Sequence, residues 1–335
     1  MAVKLKPVSE QVIVITGASS GIGLSTARMA AKQGARLVLA ARSEQALRQL
    51  RQELEAEGAQ AVTVNADVGN EADVRRIAQV AQAAFGGFDT WINNAGVGMY
   101  GRLEDLSVDD MRRLFETNFW GLVYGSRTAL EHLRDRGGSL INLGSTVSDR
   151  AIPLQGIYAA SKHAIKGFTD ALRMELEADR APVSVTLIKP GPIDTPFPIN
   201  AKNYLDTEPQ HVPPVYAPDE VARAILHAAA TPTREVYVGS GGRGIALLGQ
   251  RAPRLTDRLM ERMVIPGTLS GKPPLSRENN ALDKPSERLS ERGNYPGMVR
   301  KISVYTEAKL HPGLTLAVCL GSGLAMLAWQ TARRR

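Results

Sequence analysis

A single cysteine, Cys319, stands in 335 residues, which excludes an internal disulfide and leaves no pair of thiols to hold zinc. This fits a reducing compartment, and the expected location is the cytoplasm. Histidine is scarce too. The five, His132, His163, His211, His227 and His311, show no ligand spacing such as His-Glu-x-x-His, so no metal is expected and each is read as a surface or helix-packing residue. No apolar stretch long enough for a signal peptide follows the lysines of residues 1–7, so secretion is not expected. Aromatic side chains are not interleaved with the basic segment near the C-terminus, which argues against a nucleic-acid partner.

What is present is ordinary for a globular protein: 43% hydrophobic and 22% charged residues, in a chain long enough for one large domain with an extension or for two modest domains. The net charge of +7 is unevenly spread. Residues 1–240 carry 25 Lys/Arg against 27 Asp/Glu, whereas residues 241–335 carry 16 against 7. The excess therefore belongs to a C-terminal extension, pointing to an anionic membrane surface or a flexible basic tail.

Residues 11–15 form a short β-branched run that leads into Thr16-Gly17-Ala18-Ser19-Ser20-Gly21-Ile22-Gly23, then a helical apolar period through Leu24, Ala27, Ala30 and Ala31. Strand, glycine turn and helix in that order make a phosphate cradle. Gly17 permits the turn, Gly21 lets the backbone approach a pyrophosphate, and Gly23 lets the helix pack on the strand. A second strand, 36–40, ends in Ala41-Arg42-Ser43, without the carboxylate that would bind a ribose 2′-hydroxyl. Arg42 suits a 2′-phosphate instead and favours NADP over NAD. A third strand, 61–65, is closed by Asp67-Val68, where the carboxylate either meets an adenine edge or caps the helix beginning near Glu71.

A fourth strand, 90–92, terminates in Asn93-Asn94-Ala95-Gly96, small and amide residues at the end where doubly wound sheets bind ligands. A long helix over 107–136 carries Asn118 in its middle, where an amide competes with the backbone and so asks for a reason. A fifth strand, 138–143, ends at Gly144-Ser145. After it come a helix over 156–180, a sixth strand at 183–188, a helix over 219–230 and a seventh strand at 235–238. This alternation predicts an α/β fold, a doubly wound seven-stranded parallel sheet with helices on both faces. The proline-rich loop 193–216 is placed to cover a substrate.

Within the helix over 156–180, Tyr158 and Lys162 lie four residues apart and so share a face. A cation held near a phenol favours phenolate and lowers its pKa from about 10. A tyrosine tuned in this way exchanges a proton with an alcohol or carbonyl oxygen, and Ser145 is placed to donate a hydrogen bond to that oxygen.

Taken together, the glycine turn at 16–23, Asn93-Asn94-Ala95-Gly96, Asn118, Ser145, Tyr158-x-x-x-Lys162 and Pro190-Gly191 resemble the short-chain dehydrogenase/reductase family in its single-domain branch, over about residues 8–240. The resemblance implies that Tyr158 is the general acid/base and that Ser145 holds the substrate oxygen. Lys162 would lower the Tyr158 pKa and hold the nicotinamide ribose, and Asn118 would support a water-linked proton path. It places the cofactor contacts on Thr16, Gly17, Ser19, Ser20, Gly21, Ile22 and Gly23 of the turn, on Arg42, Asp67 and Val68 at strand ends, and on Asn94, Ala95 and Gly96. Pro190, Gly191 and Ile193 would face the nicotinamide and Thr195 its carboxamide. Arg42 matches the basic position of NADP users, while Ser20 leaves the turn without the second basic residue some of them carry.

The extension reads as three pieces. Residues 245–263 form a basic helical pattern, with Arg251, Arg254, Arg258 and Arg262 on one face and Leu247, Leu248, Leu255 and Leu259 on another. Packing on the core and contact with a membrane surface are both open for it. Residues 265–295, rich in Pro, Ser, Asn and charge, resemble a linker. Residues 313–332 run twenty positions without a charge, a length of about 30 Å as a helix, which admits a membrane anchor, a docked or dimerising hydrophobic helix, or a disordered tail. Gly321 and Ala325 have the spacing that suits helix pairing, and with it a homo-oligomer. The expected function is an NADP-dependent oxidoreductase moving a hydride between nicotinamide and a small-molecule alcohol or carbonyl, lipophilic if the tail meets a membrane. The alternative is a non-catalytic NADP-binding scaffold or sensor on the same fold.

Overall fold

The computed structural model describes residues 3–311 except 279, together with 313 and 315. Seven parallel strands, β1 (Val12–Thr16), β2 (Arg36–Ala41), β3 (Ala61–Asn65), β4 (Thr90–Asn93), β5 (Gly138–Leu143), β6 (Val183–Pro190) and β7 (Glu235–Val238), form one sheet. In space they run β7-β6-β5-β4-β1-β2-β3. The order reverses between β1 and β4, so the C-terminal ends of those two strands open a crevice. Helices α1 (Gly21–Lys32) and α2 (Glu44–Ala56) cover one face, and α3 (Glu71–Phe85) the other. Because both faces are covered, the strands are nearly continuous in β-branched and Leu residues, and every residue of β1, β5 and β6 is buried. Leu24, Leu37, Leu39, Leu47, Leu50 and Leu54 are among the fully buried side chains of the first layer. Each contributes about 1.5–3 kcal/mol by leaving water.

The long helix expected over 107–136 is α4 (Val108–Phe115) and α5 (Gly121–Arg136), joined by a π-helical turn, Glu116–Trp120, that contains Asn118. The wider turn answers the question Asn118 poses. Its amide is buried and faces away from the helix's own ladder, accepting from Val97 N at 2.8 Å and donating to Val97 O at 3.0 Å. The Tyr158 helix is α6 (Gly156–Ala178), and α7 (Pro218–Ala230) closes the first face beside α1. The helix after β3 is capped by Asn70, whose side chain accepts from Ala72 N at 2.9 Å, which takes the capping role away from Asp67.

The extension departs furthest from expectation. The single helix read over 245–263 is two, α8 (Gly242–Arg251) and α9 (Pro253–Thr268), broken where Pro253 starts a new helix. The face that packs inward is Ala246, Gly249, Thr256, Met260 and Val264, whereas Leu247, Leu255 and Leu259 are exposed. Residues read as a linker also differ. Residues 265–268 belong to α9, and 280–293 are hydrogen-bonded to the body without forming helix or strand. A short strand, Val299–Arg300, then pairs with Val215–Tyr216 and leads to α10 (Val304–Leu310). Among the described residues no helix is long and apolar enough to cross a membrane. The apolar stretch 313–332 lies, apart from 313 and 315, outside the described residues.

Candidate active site

Gly17 takes φ +67° between β1 and α1, so the chain can turn over the end of the strand. Gly23 has no such φ, but a Cβ there would stand 2.2 Å from Gly17 O, so the helix start closes on the turn only without a side chain. The turn is held from β4. Asn94 Nδ2 donates to Thr16 O at 2.9 Å and Gly17 O at 3.2 Å, while Thr16 Oγ1 accepts from Asn94 N at 3.0 Å and Ala95 N at 3.1 Å. Thr16 and Gly23, both read as cofactor contacts, therefore stand behind the cleft surface and shape it.

In front of them lies a cavity of about 190 Å³ whose wall includes Gly17, Ser19, Ser20, Gly21, Ile22, Arg42, Asp67, Val68, Asn94, Ala95 and Gly96. Arg42 reaches it from the end of β2 and hydrogen-bonds to Ala281 O. Asp67 lines the same cavity from the end of β3, its carboxylate accepting from Gly69 N at 2.9 Å.

A second cavity, of about 320 Å³, holds Ser145, Tyr158, Lys162, Pro190, Gly191 and Ile193 in its wall. Ile22, Asn94, Gly96, Thr195 and Phe197 line both cavities, so the two are one continuous cleft across the C-terminal ends of the strands. Ser145 caps the short turn Thr146–Ser148, its Oγ accepting from Val147 N at 3.3 Å and donating to Pro190 O at 3.4 Å. Lys162 is buried, with Nζ donating to Leu143 O at 2.8 Å and lying 5.7 Å from the centre of the Tyr158 ring. Asn118 lines neither cavity. It sits behind Gly96 and Val97 and also donates to Ser161 Oγ at 3.2 Å.

The electrostatics correct one expectation. Burial pushes the Tyr158 phenol well above its ordinary value, and a hydrogen bond with Ser145 only partly opposes this. Burial also pushes the Lys162 ammonium down, to about 8. A cation that is itself desolvated and held off the phenol by its bond to Leu143 O does not overcome the cost of a buried phenolate. In the cofactor-free chain burial therefore works against ionisation of Tyr158.

Several wall residues carried no local signal in the sequence. Tyr100 from the short strand Met99–Tyr100, Gln155, and Phe197, whose ring centre lies 5.1 Å from that of Tyr158, all face the second cavity. His211 does so too, rather than lying on the surface or packing a helix, and burial lowers its pKa to about 4, so it is neutral. Ile245, Met260, Met263 and Val264 come from α8 and α9, and Ala281, Pro285 and Ser286 come from the stretch read as a linker. A dinucleotide fits these residues: a turn of glycines and small serines under one half, Arg42 and Asp67 at the far end, and a Ser, Tyr and Lys grouped at the other.

A cleft of this kind at a sheet's switch point defines a nicotinamide-dependent oxidoreductase, and comparison with known proteins agrees. The model of the short chain dehydrogenase family matches residues 11–204. The chain is 50% identical over 334 residues, 99% of itself and 93% of the relative, to an uncharacterized oxidoreductase, YxnA, of Bacillus subtilis (strain 168). It is similar to a crystal structure of a short chain dehydrogenase/reductase from Burkholderia phymatum in complex with NAD, with TM-score 0.67 and 27% identity over 76% of this chain and 96% of that one. It is also similar to an alcohol dehydrogenase from the archaeon Thermococcus sibiricus complexed with 5-hydroxy-NADP, with TM-score 0.60 and 30% identity over 68% of this chain and 95% of that one. The chain belongs to the short-chain dehydrogenase/reductase family.

Proposed function

We infer that the protein is an NADP-dependent reductase or dehydrogenase for an apolar carbonyl or alcohol. The observation that carries this is the grouping of Ser145, Tyr158 and Lys162 in one cavity wall that continues into the cavity lined by the glycine turn and Arg42. Arg42, at a strand end without a carboxylate, supports the phosphorylated cofactor. Val147, Ile152, Phe197, Met260 and Val264 in the substrate wall support a lipophilic substrate.

A bound nicotinamide supplies the redox chemistry, a hydride exchanged with the carbonyl carbon. Ser145 Oγ donates to the carbonyl oxygen and orients it. Tyr158 Oη, a phenol that carries its proton near neutral pH, gives that proton to the same oxygen as charge develops there. Lys162 Nζ would hold a ribose hydroxyl of the bound cofactor, and Asn118 positions Gly96 and Val97 through its two bonds to Val97. The test is a screen of aldehydes, steroids and fatty-acyl carbonyls that follows NADPH and NADH absorbance separately. Oxidation of NADPH in preference to NADH, fastest with apolar carbonyls, is the expected result. Binding of NADPH without turnover on any carbonyl would instead favour a sensor, and a preference for NADH would remove the role given to Arg42.

A further inference from the structure

Residues 280–293 contain no regular element, yet they are fastened at two places on opposite sides of the dinucleotide cavity. At the first, Ala281 N donates to Asn200 O at 2.6 Å, Arg42 donates to Ala281 O, and Arg113 donates to Leu282 O at 3.1 Å. Asp283 there pairs with both Lys202 and Arg113 at 2.7 Å, and Leu282 is buried beside Val97, Met99 and Leu114. At the second, Gly21 N, at the start of α1, donates to Ser290 O at 2.9 Å, and Glu291 pairs with Arg28 at 2.8 Å. A Cβ on Gly293 would stand 2.4 Å from Thr195 O, so the chain lies directly on the loop that borders the nicotinamide end.

Between the two fastenings, Pro285 and Ser286 line the same cavity as Gly17 and Asp67. The segment thus crosses the mouth of the cleft from the Arg42 end to the glycine turn. A dinucleotide laid along the turn would lie beneath it, and its exchange with solvent requires one of the fastenings to open.

We propose that residues 280–293 are a clasp that closes over the bound dinucleotide and sets the rate at which it leaves. The proposal rests on the nicotinamide reading of the cleft and goes beyond it by giving the C-terminal extension a part in the cofactor site. The fastenings are partly buried ion pairs on side chains outside the catalytic group, so they can be loosened without touching Ser145, Tyr158 or Lys162. The experiment is stopped-flow release of NADPH, followed by its fluorescence, from the full chain and from the double variant Asp283→Asn, Glu291→Gln. Loss of both charged fastenings is expected to speed release by about tenfold. In the wild-type chain, hydrogen exchange of the amides of 281–293 is expected to slow when NADPH is added, a readout that does not depend on the variant folding. Release from the folded variant at the wild-type rate, or exchange over 281–293 indifferent to NADPH, overturns the clasp while leaving the oxidoreductase reading intact. A wild-type chain that binds neither NADPH nor NADH overturns both.

Discussion

The floor of the cleft, from the glycine turn to Tyr158, hangs on the ends of β1, β4 and β5 and on one helix, whereas its roof, from α8 to Gly293, is two helices and an irregular segment tied down at long range. The floor's geometry follows from the pitch of a helix and the spacing of strands. The roof's depends on pairs such as Arg28 and Glu291, 263 positions apart, which no local pattern announces. What the contrast teaches is a division of labour. In the proposed function the reacting groups stand on regular elements of the sheet fold, and part of the substrate wall comes from an extension held by side-chain pairs at long range.

The largest expected effect lies in the floor. Gly23→Ala would put a methyl 2.2 Å from Gly17 O and 2.5 Å from Asn94 Nδ2, with backbone on one side that cannot yield. Such overpacking costs about 1–3 kcal/mol or more. Felt at the turn, that loss weakens NADPH binding by about ten- to a hundredfold, measured by fluorescence titration. An unchanged affinity would mean that the turn is looser than the close approach of Gly23 implies.

A smaller, selective effect is expected in the roof. Met260, buried on α9, lines the second cavity and is absent from the wall of the first, so Met260→Trp narrows the space proposed for substrate. The kcat/KM for long apolar carbonyls should fall about tenfold while that for small aldehydes changes little. An equal loss for both would show that floor and roof are not separable in the way described.

The smallest effect is a pH dependence carried by Lys162, whose pKa burial lowers from 10.5 to about 8. Between those values the unfolded chain binds the proton and the folded chain does not, so this residue's contribution to stability rises as pH climbs through the window. Over the same rise the ammonium that would hold the ribose is lost. NADPH affinity should therefore fall by a few-fold between about pH 7 and about pH 9 in the wild type and stay level in Lys162→Met. A parallel fall in both proteins would assign the titration to another group.

These contrasts also mark where the sequence was readable. Strands bounded by glycine, asparagine and aspartate turns came within two residues of their observed ends, and Tyr158 and Lys162 share a wall because four residues on a helix make one turn. The π-turn at Asn118 was visible only as an oddity, an amide where a helix has no use for one. Charge and proline content made 265–295 look like a linker. The features that fix it, the Asp283 and Glu291 pairs and the bond from Gly21 N, involve partners distant in the chain. The direction of the Tyr158 shift was missed for a related reason: spacing reveals a neighbouring cation but not the burial that outweighs it.

The central claim is that a proton passes through the Tyr158 hydroxyl while the rest of the cleft binds and orients. Tyr158→Phe removes one oxygen and leaves the ring against Phe197. Single-turnover oxidation of NADPH by this variant, with the best carbonyl from the screen, should be slower by about 10²–10⁴-fold, with NADPH affinity unchanged. Oxidation at the wild-type rate would contradict the account.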